Sequence, residues 1–130
     1  MSKLYVLAFA SFFAEPALAQ DFQHPQLIDE FRSSNELKRQ SLINETVGKL
    51  LSGRGTISEV EECGFWDATH CRSGYMMLLD DGESQAVLYF PADRLEELYE
   101  ANPGARYDFE NCRILAIEDW GFNQAVFCQM

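Results

Sequence analysis

The sequence is poor in basic side chains: lysine and arginine number 10 against 21 aspartates and glutamates, which leaves a net charge of −11. A surface of this sign repels phosphate backbones, and no run of lysines or arginines offsets the repulsion locally. Nucleic acid is therefore a disfavoured partner, whereas a cationic partner suits the charge.

Histidine is scarce as well, since only His24 and His70 are present. We expect His24 to lie in a loosely ordered stretch, residues 20–25. His70 adjoins Cys71, but a Cys71 held in a disulfide is no nucleophile. The carboxylates cluster at turns and exposed faces, without the buried, opposed partner that acid–base hydrolysis needs. We therefore predict no catalytic residue, no cofactor and no enzymatic activity.

No apolar run is long enough to span a bilayer. Residues 4–14 form an apolar run that follows Lys3 and ends at Glu15-Pro16, before the small-x-small triplet Ala17-Leu18-Ala19. This pattern is typical of a signal peptide with its cleavage site, although a buried N-terminal helix is the alternative. We predict a signal peptide over residues 1–19 and an exported protein, periplasmic or secreted, without a membrane span.

The four cysteines include no C-x2-C pair, which argues against zinc, and Asp80-Asp81-Gly82 lacks the spacing of a calcium loop. We predict no metal site. In an exported chain of this size, four cysteines indicate two disulfides. Cys112 and Cys128 are equidistant from Trp120, so a hairpin folding there places them opposite each other. Cys63 and Cys71 flank a loop. The predicted pairs are Cys63–Cys71 and Cys112–Cys128.

Residues 20–52 show helical patterns. Leu27, Ile28 and Phe31 fall on one helical face, and Ser33-Ser34-Asn35 provides a break and a helix N-cap. A second helix is predicted over residues 36–51, closed by Gly53. We expect this part to form a helical N-terminal extension that packs on the following domain or pairs with another copy.

Residues 53–130 are predicted to form strands over 56–63, 75–79, 85–90, 106–117 and 122–128. The order β-β-β-α-β-β follows from one helix over 91–104, with an apolar face of Leu95, Leu98 and Tyr99 and a capping box of Asp93 and Glu96. That order is typical of a small Greek-key barrel.

The apolar pattern breaks strict alternation in two of these strands, which indicates bulges. One bulge is predicted near Ser58-Glu59, so that Ile57 and Val60 both face the core. The other is predicted in the fourth strand, where the inward positions shift from Tyr107 and Phe109 to Cys112, Ile114 and Ala116.

The chain resembles an oligonucleotide/oligosaccharide-binding (OB) fold, and more narrowly the small tRNA-anticodon-like OB proteins that bacteria export. The phrases that carry the resemblance are Gly53-Arg54-Gly55-Thr56-Ile57-Ser58-Glu59-Val60 and Gly104-Ala105-Arg106-Tyr107-Asp108-Phe109. It implies a mainly β, five-stranded Greek-key barrel of OB type with an N-terminal helical extension. Most members of that group have no assigned activity, so the resemblance implies a fold more than a function.

In such barrels ligands lie across the second and third strands, between the loop joining strands one and two and the loop joining strands four and five. Both loops are aromatic here, and we expect them to share one rim of the barrel. The predicted ligand-binding residues are Phe65, Trp66, His70, Arg72, Trp120 and Phe122. Aromatic rings with an arginine suit stacking on a ligand or anchoring a protein partner. The alternative, that these rings plug the barrel ends, stays open.

We therefore predict an exported, non-enzymatic binding or adaptor module for a protein or a small ligand. One alternative is a self-assembling secreted subunit similar to a toxin B subunit, in which edge strands pair between copies as a homo-oligomer. Another is an acidic inhibitor of a basic secreted enzyme, whose binding would weaken with salt.

Overall fold

The computed structural model describes residues 21–64, 71, 73–82, 84–120 and 123–130, so the predicted signal peptide lies outside the described chain. The described chain is mainly β with a few helices. Its elements are β1 (Asp21–Gln23), α1 (His24–Arg32), α2 (Glu36–Thr46), β2 (Leu50–Glu62), β3 (Tyr75–Asp80), β4 (Ser84–Phe90), a 3-10 turn (Ala92–Arg94), α3 (Leu95–Leu98), β5 (Arg106–Trp120) and β6 (Asn123–Gln129). From β2 onward the predicted order β-β-β-α-β-β is present.

Six strands form one sheet in the order β1-β2-β3-β4-β6-β5. Strand β5 pairs in addition with β2, so the pairings of β2 to β6 run in a ring. Neighbouring strands are antiparallel except for β1–β2 and β4–β6, which are parallel. Within the described chain, each strand from β2 to β6 has a strand on both sides, and the short β1 lies at the edge.

The predicted bulge in β2 is present. The pairing with β3 shifts register between Ile57 and Glu59, which leaves Ser58 as the extra residue. Ile57 is buried in the core and Val60 packs against it, so both residues face the same side of the sheet despite their odd spacing.

Strand β5 contains two irregularities. Against β2 its register shifts between Phe109 and Cys112, where Asn111 adopts a positive φ of 59°, and both flanking residues join the core. Against β6 it shifts between Ile114 and Ala116. Because of this second extra residue, Ile117 joins the core and Ala116 packs on the opposite side of the sheet. The expectation that Ala116 faces the core was therefore wrong.

The main core lies on one side of the sheet, which we call the core side. Alternate residues of β2 to β6 contribute to it, and Leu27, Ile28 and Phe31 of α1 and Leu42 of α2 belong to the same cluster. Helices α1 and α2, which lie within the extension predicted over residues 20–52, thus pack directly on the strands.

Residues 21–25 belong to regular secondary structure, which corrects for them the expectation of a loose stretch over residues 20–25. Asp21–Gln23 pairs with β2 as β1, and His24 begins α1 with only 2% of its surface exposed. Pro25 occupies the first turn of α1, where a missing backbone N–H costs no hydrogen bond. The sequence lacks a recognisable signal for β1 because three residues are too few to show a period.

The second helix begins as predicted and ends early. Asn35 caps α2 by accepting a hydrogen bond from the Lys38 backbone N–H at 2.9 Å. The helix ends at Thr46 instead of residue 51, because Leu50 and Leu51 pair with both β1 and β5. The apolar spacing of these residues matches a strand between two neighbours as well as a helix.

The helix predicted over residues 91–104 is reduced to the 3-10 turn and the single turn of α3. Leu98 is buried as predicted, but Tyr99 lies beyond the helix and is 69% exposed. No side chain caps either segment, so the predicted capping box is not formed. Arg94 instead donates hydrogen bonds of 2.6 and 2.7 Å to the Glu97 carboxylate.

Both disulfides join the residues predicted from the spacing. Cys112–Cys128 links β5 to β6, and both cysteines are fully buried in the core. Cys63–Cys71 closes the connection between β2 and β3. Each bridge therefore ties together segments that are already close through strand pairing.

Candidate functional site

The positions of the predicted ligand-binding residues follow only from the ends of the strands that flank their loops. Phe65, Trp66, His70, Arg72, Phe122 and the indole of Trp120 lie outside the described side chains. The loop after β2 leaves the sheet beside the end of β4, because Glu62 pairs with Tyr75 and Tyr75 pairs with Phe90.

The loop after β5 leaves beside the start of β4, where Ser84 pairs with Gln124 next to the β5–β6 turn. The seven residues of β4 span roughly 20 Å at about 3.3 Å per residue. The two loops therefore leave from opposite ends of the strands. For the points at which the loops leave the sheet, the expectation of one shared rim was wrong. The physical reason is that β2 and β5 are antiparallel.

A second apolar surface lies between these two strand ends, on the side of the sheet opposite the core. We call it the outer face. It consists of side chains from four strands that alternate with the core residues, together with one disulfide: Cys63, Cys71, Met76, Leu78, Val87, Tyr89, Leu115, Ala116, Ala125 and Phe127.

The outer face is tightly packed at its centre. Tyr89 and Phe127 stack with ring centroids 6.3 Å apart, and Val87 and Ala125 are buried beside them. Cys71 packs in the same cluster, so one end of the disulfide-closed segment rests on this face. The apolar surface that remains accessible comes from the half-buried members of this face: Met76 and Leu78 of β3, Leu115 and Ala116 of β5, and Cys63.

A polar cluster lies around the β3–β4 turn, at the end of the strands opposite the Cys63–Cys71 disulfide. The His24 imidazole places Nε2 3.3 Å from the Gln85 carbonyl oxygen and Nδ1 3.6 Å from the Asp81 carboxylate. Nδ1 is buried and has no hydrogen-bond partner among the described residues. Burial lowers the pKa of His24 below its usual 6.5, and the Asp81 carboxylate and the Gln85 carbonyl offset part of this effect.

The polar cluster is not arranged for nucleophilic catalysis. The Ser84 hydroxyl donates to both oxygens of the Asp81 carboxylate at 3.0 Å, and the Ser84 backbone N–H donates to the same group at 2.9 Å. In a nucleophilic triad the imidazole stands between the hydroxyl and the carboxylate. Here the carboxylate stands between the hydroxyl and the imidazole, so Asp81 orders the turn and accepts from Ser84.

A cleft of about 670 Å³ adjoins this turn. Arg54 on β2 and Arg106 on β5 line it together with Asp80 and Asp81. The arginines share one side of the paired strands, since Arg106 pairs with Thr56, two residues beyond Arg54. The sequence shows no local group of basic residues, because 52 positions separate these two arginines. The carboxylates in the cleft offset their charge.

Among the described residues, no group of three or more histidine, cysteine, aspartate or glutamate side chains is placed to hold a metal ion. Nor does any helix of this part of the chain have the length and apolar character needed to cross a membrane.

No family model matches the chain, and no curated protein matches its sequence. Similarity appears in solved structures. A "putative nucleic acid-binding lipoprotein" from Klebsiella pneumoniae subsp. pneumoniae has a TM-score of 0.56 at 13% identity, over 87% of this chain and 91% of that one. At this identity the likeness shows a common fold and nothing about activity.

A second structure, a "putative aspartyl-tRNA synthetase" from Leishmania major Friedlin, matches 95% of this chain and 22% of its own length. Its TM-score of 0.46 at 13% identity is too low to support an argument.

Proposed function

We propose that the chain is an exported, non-enzymatic binding or adaptor module built on an OB-type Greek-key barrel. The ring of strand pairings and the helix between the third and fourth barrel strands support this barrel type. Two disulfides support export, since such bonds persist in oxidising compartments. The lipoprotein of similar fold agrees with an extracytoplasmic setting.

The observation that carries the proposal is the apolar outer face between two aromatic loops. In OB barrels the second and third barrel strands and these two loops form the binding surface, and here they are β3, β4, the 63–74 segment and the β5–β6 turn. The ligand would lie along β3, where Met76 and Leu78 are half-buried beside the buried β4, with Phe65, Trp66, His70 and Arg72 at one end. Trp120 and Phe122 would contact it at the other end.

The energetics are sufficient for a moderate affinity. An aromatic side chain buries about 150–250 Å² at about 25 cal/mol per Å², so two or three of them supply several kcal/mol. The disulfide-closed segment also lowers the entropy lost on binding. A micromolar interaction is the expected scale.

The test is a pull-down from the exported fraction with the parent protein, Trp66→Ala and Trp120→Ala. We expect both variants to lose the same partner while the melting temperature stays constant. Leu37→Ala is the matched control, because Leu37 is 82% exposed on α2 and far from either loop in the chain. Retention of the partner by both tryptophan variants would contradict the proposal, and loss of folding would indicate that the indoles plug the barrel.

Nucleic acid is a second candidate ligand because the lipoprotein of similar fold carries that description and because Arg54 and Arg106 line one cleft. The net charge of −11 and the carboxylates in the cleft make it the weaker candidate. Titration with a single-stranded oligonucleotide decides the matter. Binding that weakens tenfold or more with added salt and with Arg106→Ala would favour nucleic acid.

Self-assembly through strand edges is less well supported. The strands expected to pair between copies are the first and fifth barrel strands, β2 and β6. Both already have neighbours on both sides within the chain. The alternative of an acidic inhibitor of a basic secreted enzyme is still supported by the net charge of −11.

A further inference from the structure

An apolar groove lies between α3 and the neighbouring strands, away from the outer face. It has a volume of about 310 Å³ and is lined by residues of β2, β3 and the segment around α3: Val60, Glu61, Glu62, Tyr75, Leu95, Leu98, Tyr99, Ala101 and Pro103. Leu98 is buried, whereas Val60, Tyr75 and Leu95 are half-buried. The groove therefore has an apolar floor that solvent reaches.

Tyr99 at this groove is unusually exposed. Among the described residues, only Leu37, Val47 and Tyr99 are large hydrophobic residues with exposed side chains. Tyr99 is 69% exposed and is the one of these three that lines the groove. Tyrosine beside an apolar pocket is a frequent anchor point in protein interfaces, since it combines a large apolar ring with a hydroxyl.

The border of the groove is acidic. Glu61 and Glu62 line it on the β2 side, and Glu96 and Glu100 are exposed on the segment that contains α3. The nearby Arg94 does not neutralise this border, because its guanidinium is bound to Glu97. Within the described chain Glu62, Glu96 and Glu100 make no ion pair.

The groove also adjoins the loop that the proposed function uses. Glu62 is the last residue of β2, and Cys63 of the disulfide-closed segment follows it directly. A partner bound by that segment would have the groove within reach at the same end of the strands.

We propose that this groove binds a cationic segment of a protein partner, with one apolar side chain seated between Tyr99 and Leu95 and flanking lysines or arginines against the glutamates. This inference rests on the proposed function as a binding module and names the partner's chemistry. A second copy of the chain does not fit, because two surfaces of net charge −11 with acidic grooves repel each other.

The probe is an array of immobilised heptapeptides with lysine or arginine at the outer positions and each apolar residue at the centre. Two companion arrays carry aspartate or glutamate at the outer positions, or glycine at the centre. We expect the exported protein to be retained on the basic, apolar-centred set. Retention falls at least about fivefold in Tyr99→Ala, whereas the exposed control Leu37→Ala stays within about twofold.

A charge-matched pair separates the groove from the general acidity of the surface. Glu62→Gln and Glu45→Gln each remove one negative charge, but Glu45 lies on α2 away from this groove. We expect Glu62→Gln to reduce the retention on the basic peptides more than Glu45→Gln does. The salt dependence of this retention should also become weaker in Glu62→Gln than in Glu45→Gln. Equal effects of the two variants, retention on glycine-centred peptides, or retention on no array would overturn the inference.

The outcomes also distinguish this inference from the proposed function. A partner from the exported fraction that is lost in Trp66→Ala but kept in Tyr99→Ala would leave the binding module standing and remove the groove from it. Self-association that Tyr99→Ala abolishes would assign the groove to a second copy and overturn the cationic partner.

Discussion

Gly53 of β2 lies directly against His24 of α1: a Cβ atom on Gly53 would stand 2.8 Å from the His24 Cβ and 3.1 Å from the Phe109 ring. The next glycine of the phrase, Gly55, is similarly close to Leu79 of β3. These two glycines allow a helix and a neighbouring strand to approach β2. The Gly-x-Gly phrase of the sequence therefore has a packing role.

Gly53→Ala is expected to destabilise the protein by about 1–3 kcal/mol, since the added methyl group must displace His24 or Phe109. Urea unfolding measures the change. In the double variant His24→Gly, Gly53→Ala the opposing Cβ is gone, so the combined cost should fall below the sum of the single costs. Additive costs would show that the two positions are not in contact.

The pH dependence of stability should report on His24. Its folded-state pKa lies below the unfolded value of 6.5, mainly because of burial. As the pH falls through 6.5, the unfolded chain binds more protons than the native chain, so the free energy of unfolding decreases. This contribution is fully present above pH 6.5 and is lost as the pH falls toward the folded-state pKa.

His24→Gln should flatten the slope of the free energy of unfolding below pH 6.5, measured by urea titration at several pH values. Asp81→Asn should steepen the slope, because the carboxylate raises the pKa of His24 in the native state. His70→Gln, the other histidine of the chain, is the control. An unchanged slope in His24→Gln would contradict the burial of this imidazole.

Removal of the Cys112–Cys128 disulfide by paired alanine substitutions should cost more than removal of Cys63–Cys71. The separations are 16 and 8 residues, so loop-closure entropy alone favours the first bridge by about 0.6 kcal/mol. Cys112 and Cys128 are also fully buried, and alanine would leave a cavity there. Equal losses in denaturant unfolding would mean that neither effect operates.

Asn111 tests the bulge in β5. Its φ of 59° is tolerated by asparagine and glycine but strained for a β-branched residue. Asn111→Val should cost about 1–2 kcal/mol, whereas Asn111→Gly should be close to neutral. A similar loss of thermal stability in both variants would point to a side-chain contact of Asn111 instead of its backbone conformation.

Much of the fold was accessible from the sequence because strand positions and bulges leave a local pattern. Ile57 with Val60, and Phe109 with Cys112, break alternation at the positions where the structure has its bulges. The disulfides followed from symmetry about a turn. Hairpins and bulges are short-range features, so nearby residues carry the information.

The missed features depend on long-range contacts. In the sequence His24 is an isolated polar residue. Its burial arises only because α1 packs against Gly53 and Asp81, which are distant in the chain. Because β2 and β5 are antiparallel, the two aromatic loops leave from opposite ends of the sheet. The residues within each loop do not reveal this separation. One signal was present for the outer face: the unbroken apolar run 86–90 is typical of a strand buried on both sides.

The outer face between the aromatic loops is best examined by hydrogen exchange on the complex captured from the exported fraction. If β3 with the adjoining loops binds the partner, amides of Tyr75–Asp80, of the 63–74 segment and of the β5–β6 turn should exchange more slowly in the complex. Protection confined to the cleft of Arg54 and Arg106, or unchanged exchange along β3 and both loops, would contradict that binding surface.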